Sequence, residues 1–384
     1  MSAGPISFGA FLSPLHPVGE SPTLAMRRDM DLIEWLDELD FAEFWVGEHH
    51  SAGWGVISSP ELFISAAFER TKHIRLGTGV VSLPYHNPFL VASRAVQLDH
   101  MSRGRFILGV GAGSLASDMH MFGTSPAETR ARTTESAEII SQLLTSDEPV
   151  TRKSDWYDLR DARLQLKPYS REGIEIAISS ASSPFGMKLA GKLGLSPLSF
   201  GAPRPGTSPS DLAAQWQHTE EEAALYGRTA NRERWRIALP MHVAETREEA
   251  LDQVFEGWRM YRKDYWGATL GLPVPQTVSD VDDRRSLEAA VASRSVLVGS
   301  VEDVIESVEQ IREMTGGFGT ILTIVQDWTT PAQMKRSFEL VGRYVAPRFN
   351  GSLRGIESSQ RWVAENNQSF LGQIMEGYRK EGVS

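Results

Sequence analysis

Eight times along this chain a short strand-like segment gives way to a longer stretch with helical spacing of apolar residues. Such an alternation leaves few folds open, because repeated βα units build a parallel sheet. The strand readings are Ile6–Leu12, Glu43–Val46, Ile74–Leu83, Phe106–Val110, Glu175–Ser179, Leu195–Phe200, Arg234–Ala244 and Thr320–Val325. Between and after them run helical patterns such as Thr23–Leu39, Pro88–Met101, Pro126–Leu144 and Pro331–Val345. Eight units predict a closed (β/α)8 TIM barrel, with a doubly wound open sheet as the runner-up.

Three stretches break the rhythm. Glu148–Gln165, after the fourth strand, reads as an excursion carrying a small hairpin. Residues 265–295, before the last βα unit, read as a long irregular insertion with a short helix at Arg284–Ala292; insertions of this length are commonly lids. The extension 350–384 lies beyond the barrel count, and Gln360–Tyr378 within it reads as a surface helix or a dimer contact. Residues 1–384 are otherwise read as a single domain, a size within reach of α/β barrels.

Composition removes several function classes. The absence of cysteine excludes a disulfide framework, a thiolate metal site and a cysteine nucleophile, and it fits a reducing cytoplasm. A net charge of −10 argues against nucleic-acid binding, which needs a basic face. No apolar run reaches the ~18 residues of a membrane span, and no signal peptide is evident at Met1–Phe11.

In a barrel of this kind, chemistry sits at the C-terminal ends of the strands. Glu48-His49-His50 follows strand two, and an imidazole there suits acid–base work, with Glu48 placed to orient it. No third ligand is evident beside this pair and the spacing is not that of a helical metal motif, so no metal is expected. Ser179-Ser180-Ala181-Ser182-Ser183-Pro184 follows strand five. Hydroxyls beside the free N–H groups of a helix start hold phosphate, whereas simple capping by Ser183 would need only one serine. Gly111-Ala112-Gly113 after strand four admits close approach of a ligand but lacks the third glycine of a nicotinamide fingerprint. Gly77-Thr78-Gly79 in strand three fits either a ligand against the backbone or tight barrel packing.

These segments also carry a resemblance. Glu48-His49-His50, Leu76-Gly77-Thr78-Gly79-Val80-Val81-Ser82-Leu83-Pro84, Leu98-Asp99-His100-Met101-Ser102-Arg103-Gly104-Arg105-Phe106, Met121-Phe122-Gly123 and Val298-Gly299-Ser300 stand in the order found in bacterial luciferase-like flavin-dependent monooxygenases. Gly316-Gly317-Phe318-Gly319-Thr320 and Asp327-Trp328 look most like the limonene monooxygenase branch, which is itself similar to the diketocamphane monooxygenases. The resemblance implies reduced FMN delivered by a separate reductase, O2, a 4a-peroxyflavin, and oxygenation of a small apolar substrate such as a terpene or cyclic ketone. It implies His49 as the catalytic residue and a cis peptide at Gly79–Val80 beneath the flavin. Ser180, Ser182 and Ser183 fall on the phosphate segment, and Phe200 falls against the flavin pocket. Gly111 stands where luciferases have a reactive thiol. Ala112 replaces a phosphate-binding arginine, so the counter-charge would come from Arg130, Arg132 or the helix terminus alone. Residues 265–295 stand where luciferases carry a mobile active-site loop, and a homodimer through barrel helices is implied. Relatives on the same barrel use a deazaflavin for hydride transfer, and this is the alternative function.

Overall fold

The computed structural model describes residues 4–181, 183–202, 211–274 and 280–380. Eight parallel strands close into a barrel: β1 (Ser7–Leu12), β2 (Glu43–Val46), β3 (Arg75–Thr78), β4 (Phe106–Gly111), β5 (Glu175–Ser180), β6 (Ser196–Phe200), β7 (Arg236–Val243) and β8 (Thr320–Val325). β1 pairs with both β2 and β8, which shuts the ring. The helices α1 (Pro22–Glu38), α2 (Pro60–Phe68), α3 (Pro88–Ser102), α4 (Pro126–Thr145), α5 (Phe185–Leu193) and α6 (Leu212–Leu225) each follow one of the first six strands. The expected hairpin is present as Val150–Lys153 paired with Asp158–Ala162.

Alternation along the strands sorts side chains into barrel and helix faces. Phe8, Ala10 and Leu12 join the core beneath the helices, while Phe11 joins an inner cluster with Trp45, Ile107, Ala177, Leu198, Ala238, Leu322 and Ile324. Trp45 is the bulkiest inner residue and two glycines make room for it. A Cβ at Gly77 or Gly109 would stand 2.7 Å from its ring. Packing thus accounts for Gly77. The predicted strand Ile74–Leu83 is divided, because the Gly79–Val80 bond is cis and pairing resumes only at Val81–Ser82, against β4.

The N-terminal end of the barrel is sealed by charge. Arg236 is buried, with Nε and Nη2 each 2.7 Å from Glu43 and Nη1 2.8 Å from Glu175. Arg75 Nη2 lies 2.7 Å from the other Glu175 oxygen. Burial raises the Glu175 carboxyl, but Arg236 and Arg75 outweigh it and hold the pKa at about 2.

Between β7 and β8 the chain departs from the expected irregular loop. α7 (Arg247–Met260) runs on into a π-helical segment, Tyr261–Thr269, and α8 (Asp280–Ala292) follows. α8 is anchored where Arg284 meets Glu248 and Asp252 of α7, and where Asp283 meets Arg259 and Arg262. The short helix expected at Arg284–Ala292 is thus present and starts earlier, at Asp280. A further strand, Leu297–Gly299, adds to β7 before α9 (Val301–Thr315). α10 (Pro331–Leu340) closes the barrel and α11 (Arg354–Lys380) ends the described chain, longer at both ends than the expected Gln360–Tyr378.

Candidate active site

At the C-terminal mouth the sequence brings apolar and polar halves together. Phe200, half-buried, meets Phe11 edge-to-face with ring centres 5.0 Å apart. A Cβ at Gly79 would lie 2.8 Å from the Phe11 ring, and one at Gly111 would lie 2.6 Å from both Val80 Cγ2 and Ser179 Oγ. Phe11, Phe200, Gly79–Val80, Gly111 and Ser179 therefore form one continuous floor. Gly113, at φ +75°, stands beside it, and a Cβ there would meet the Tyr85 hydroxyl at 2.6 Å.

The histidines divide in a way the sequence did not disclose. Glu48 is buried and accepts from His50 Nε2 at 2.9 Å, His86 Nε2 at 3.0 Å and the Ser82 N–H at 3.1 Å. Burial raises this carboxyl, and its three donors pull it back below the usual carboxylate range. The same Glu48 bond raises the His50 imidazole against the pull of burial. Glu48 therefore orients His50, not His49. His49 instead faces Asp118, with Nδ1 3.9 Å from Oδ2. Asp118 is buried, accepts from the Ser51 hydroxyl and sits 3.5 Å from the His50 amide. Burial raises Asp118, while His49, Ser51 and the His50 amide bring it below its ordinary value. Asp118 lies on a short helix, Ala116–Met121, about 70 residues beyond His49, so nothing in the sequence paired them. Glu48, His50 and His86 have the atoms to gather a metal ion, but each Nε2 is engaged with Glu48 and the arrangement is satisfied as a hydrogen-bonded set.

The serine cluster is also divided. Ser180 is buried and its hydroxyl donates to the Ser183 carbonyl at 3.0 Å, while Gly186 of α5 would press a Cβ to 3.0 Å from Ser180 Cβ. Ser180 thus faces the helix layer. Ser179, which shares its parity with inward Ala177, is the serine on the mouth floor. Ser183 is half-buried just before α5, and Ser182 lies outside the described residues. Pro184, not Ser183, occupies the cap position, and among the described residues no side chain caps α5, so its first N–H groups face an anion-sized opening in the hydrogen bonding. The Arg130 guanidinium lies 5.9 Å from the ring of Phe185, the first residue of α5. Arg132 is occupied by Glu128 and Trp156.

The far side of the mouth is aromatic. Gly55 packs so closely on His49 that a Cβ would come within 2.5 Å of its Cβ. The adjoining Trp54 donates from Nε1 to Thr269 Oγ1 at 3.2 Å and stands 5.3 Å from the Tyr265 ring. The insertion therefore reaches His49 through one short loop. Between the loops after β1 and β8, His16 bridges Asp29 (2.9 Å) and Asp327 (2.7 Å), and Arg28 also holds Asp327 at 2.8 Å. Burial pulls His16 down, but the two carboxylates more than offset it and hold the pKa at about 9.

A closed barrel with titratable side chains converging at its C-terminal mouth is the scaffold of an enzyme. The pattern of luciferase-like monooxygenases matches residues 6–317, and the chain belongs to that family of oxidoreductases. It is 61% identical over 361 residues to the 4-hydroxyprotoasukamycin monooxygenase of Streptomyces nodosus subsp. asukaensis, spanning 94% of this chain and 96% of that one. It is 43% identical to the limonene 1,2-monooxygenase of Rhodococcus erythropolis, spanning 91% and 88%. Among solved structures, the oxygenating constituent of 3,6-diketocamphane monooxygenase from Pseudomonas putida, in complex with FMN, superposes with a TM-score of 0.73 at 25% identity, over 90% of this chain and 99% of that one.

Proposed function

We propose that this protein binds reduced FMN at the barrel mouth and uses O2 to place one oxygen atom in a small, largely apolar organic molecule, the other atom leaving as water. The observation that carries this reading is the mouth itself. A flat apolar floor for an isoalloxazine (Phe11, Phe200, Val80) lies beside an uncapped helix start suited to a phosphate. The donor set fits the cofactor. The first N–H groups of α5 and the Ser183 hydroxyl would hold the phosphate, with Arg130 supplying the charge that Ala112 lacks. Gly111 and Gly113 keep the floor free of side chains.

Bound reduced FMN would supply the electrons that activate oxygen. His49 would hold or deliver a proton at the reacting edge, and Asp118 would fix its ring. The insertion, through Tyr265 and Trp54, would exclude water from the same edge. The names of the similar enzymes point to limonene-like or protoasukamycin-like molecules as substrates. A cytoplasmic setting and a partner reductase complete the proposal. The test is turnover under 18O2 with chemically reduced FMN and limonene or a cyclic ketone. One labelled oxygen in the product supports the proposal. Unlabelled product, or binding of a deazaflavin in place of FMN, would replace it with the hydride-transfer function.

A further inference from the structure

We propose that the cavity at the closed end of the barrel, between α5, α6 and the start of β7, is a binding site for a short-chain carboxylate. It lies at the opposite end of the strands from the mouth, and none of its lining residues enters the proposed oxygenation. Its volume is about 110 Å³. A dry cavity of about 150 Å³ admits benzene, so this one has room for a body of about three or four carbons. The floor is apolar, with Ala190 of α5, Pro197 of β6, and Trp216 and Ala223 of α6 all buried. Gly194, in the left-handed turn that ends α5 (φ +73°), adds no side chain to the lining; a Cβ there would lie 3.2 Å from Arg228 Nη1.

The rim is rich in donors. Arg232 and Arg236, on either side of Arg234 in sequence, are both spent. Arg232 is held by Glu220 and by the carbonyls of Thr315 and Gly317, and Arg236 by Glu43 and Glu175. Arg234 lines the cavity, and among the described residues its guanidinium has no hydrogen-bond or ionic partner. Asn231 accepts from the Glu233 amide through Oδ1 at 2.9 Å, which leaves Nδ2 to donate. The carbonyl end of α5 would repel an anion, but Arg228 already answers it: Nε donates to the Lys192 carbonyl at 3.0 Å, and its terminal nitrogens remain. Donors over an apolar floor select the ligand by exclusion. A hydrocarbon would shield the guanidinium groups from water and offer no acceptor. A bare inorganic anion would leave the floor uncovered. An amine would meet two like charges. A carboxylate takes the fork of a guanidinium in two parallel bonds, and a short chain behind it covers the floor.

The experiment is calorimetric titration of the full-length protein with butyrate. Wild type is expected to bind it at a single site per chain. Butyramide, of the same shape without the charge, is expected to bind at least about tenfold more weakly, and Arg234→Met should weaken butyrate by a similar factor, since a bond to a charged group is lost in each. Arg130→Met, at the mouth, should leave the affinity for butyrate unchanged. Ala223→Phe fills the cavity and should abolish binding. Arg234 is exposed, so its variant keeps the test decisive if Ala223→Phe fails to fold. No binding to wild type, or equal binding of butyrate and butyramide, overturns the proposal. Inorganic phosphate binding as tightly as butyrate would make this a bare anion site and overturn the assignment of a carboxylate with an apolar body. Loss of binding in Arg130→Met but not in Arg234→Met would place the ligand at the mouth and overturn the assignment to this cavity. None of these readouts depends on turnover or on flavin, so they stand or fall apart from the proposed oxygenation.

Discussion

At the scale of single residues, the mouth holds two imidazoles with different jobs. His50 is tied to a buried carboxylate that it shares with His86, and a group so engaged is poorly placed to release a proton to a ligand. Among the described residues the ionic contact of His49 is the longer one, to Asp118 at 3.9 Å. His49→Ala is therefore expected to lower oxygenation by at least roughly 10²-fold, with the dissociation constant for reduced FMN nearly unchanged. Steady-state rates and an anaerobic flavin titration check both halves, and unchanged turnover removes His49 from the chemistry. Asp118→Asn keeps the shape and removes the charge. It should lower kcat more than it raises KM and shift the pH–rate profile, whereas a purely structural Asp118 would lower thermal stability and leave that profile in place. The residues Glu48, His49 and His50 were conspicuous in the sequence, but which carboxylate serves which ring was not. His86 and Asp118 reach this segment only through distant chain crossings. The serines show a different limit. Strand parity sets Ser179 inward and Ser180 outward, and the cluster alone hid that distinction.

At the scale of elements, the loops beyond the strands are held by polar clasps whose state depends on pH. The His16 clasp ties the loop after β1 to Asp327 after β8. Its folded-state pKa of about 9 lies above the ordinary value of 6.5. The clasp is thus fully present below about pH 6.5 and is lost as pH rises through about 9, a change of up to about 3 kcal/mol. Wild type should lose thermal stability between these limits beyond any loss seen in His16→Gln, and parallel melting curves for the two over that range would refute the clasp. The β4 loop gives a steric counterpart. Gly113→Ala forces a side chain into a left-handed backbone and towards the Tyr85 hydroxyl, and should cost about 1–2 kcal/mol. Urea unfolding measures that cost. Elements with one amphipathic face were legible in the sequence because burial writes a period into them. The start of α8 at Asp280 and the strand Leu297–Gly299 were not. The first is held by ion pairs with α7 and the second is only three residues long.

At the scale of the whole molecule, stability and chemistry occupy opposite ends of the barrel. The mouth keeps glycines, half-buried aromatics and histidines, while the closed end keeps a satisfied charge network around Arg236. The eightfold alternation was enough to read this polarity, because any closed barrel of βα units has a loop end and a packed end. It could not say that the packed end would be ionic, since Glu43, Arg75, Glu175 and Arg236 meet only once the ring shuts. Among the described residues no helix is long and apolar enough to cross a membrane. The ionic plug makes the last prediction. Glu175 has a folded pKa of about 2, below the ordinary 4.5, so its contribution is complete above about pH 4.5 and lost as pH falls through about 2. Acid unfolding of the wild type should therefore set in below pH 4.5. Arg236→Met leaves the buried Glu43 and Glu175 with the partly exposed Arg75 as their remaining shared cation, and removing one partner of such a set typically costs about 3–5 kcal/mol. Adding Glu43→Gln and Glu175→Gln to Arg236→Met removes the stranded charges and should recover much of that loss, together with the acid sensitivity. If the triple variant is no more stable than Arg236→Met at neutral pH, the loss lies in packing around Trp45, over which the Arg236 guanidinium stands at 5.1 Å, and not in charge.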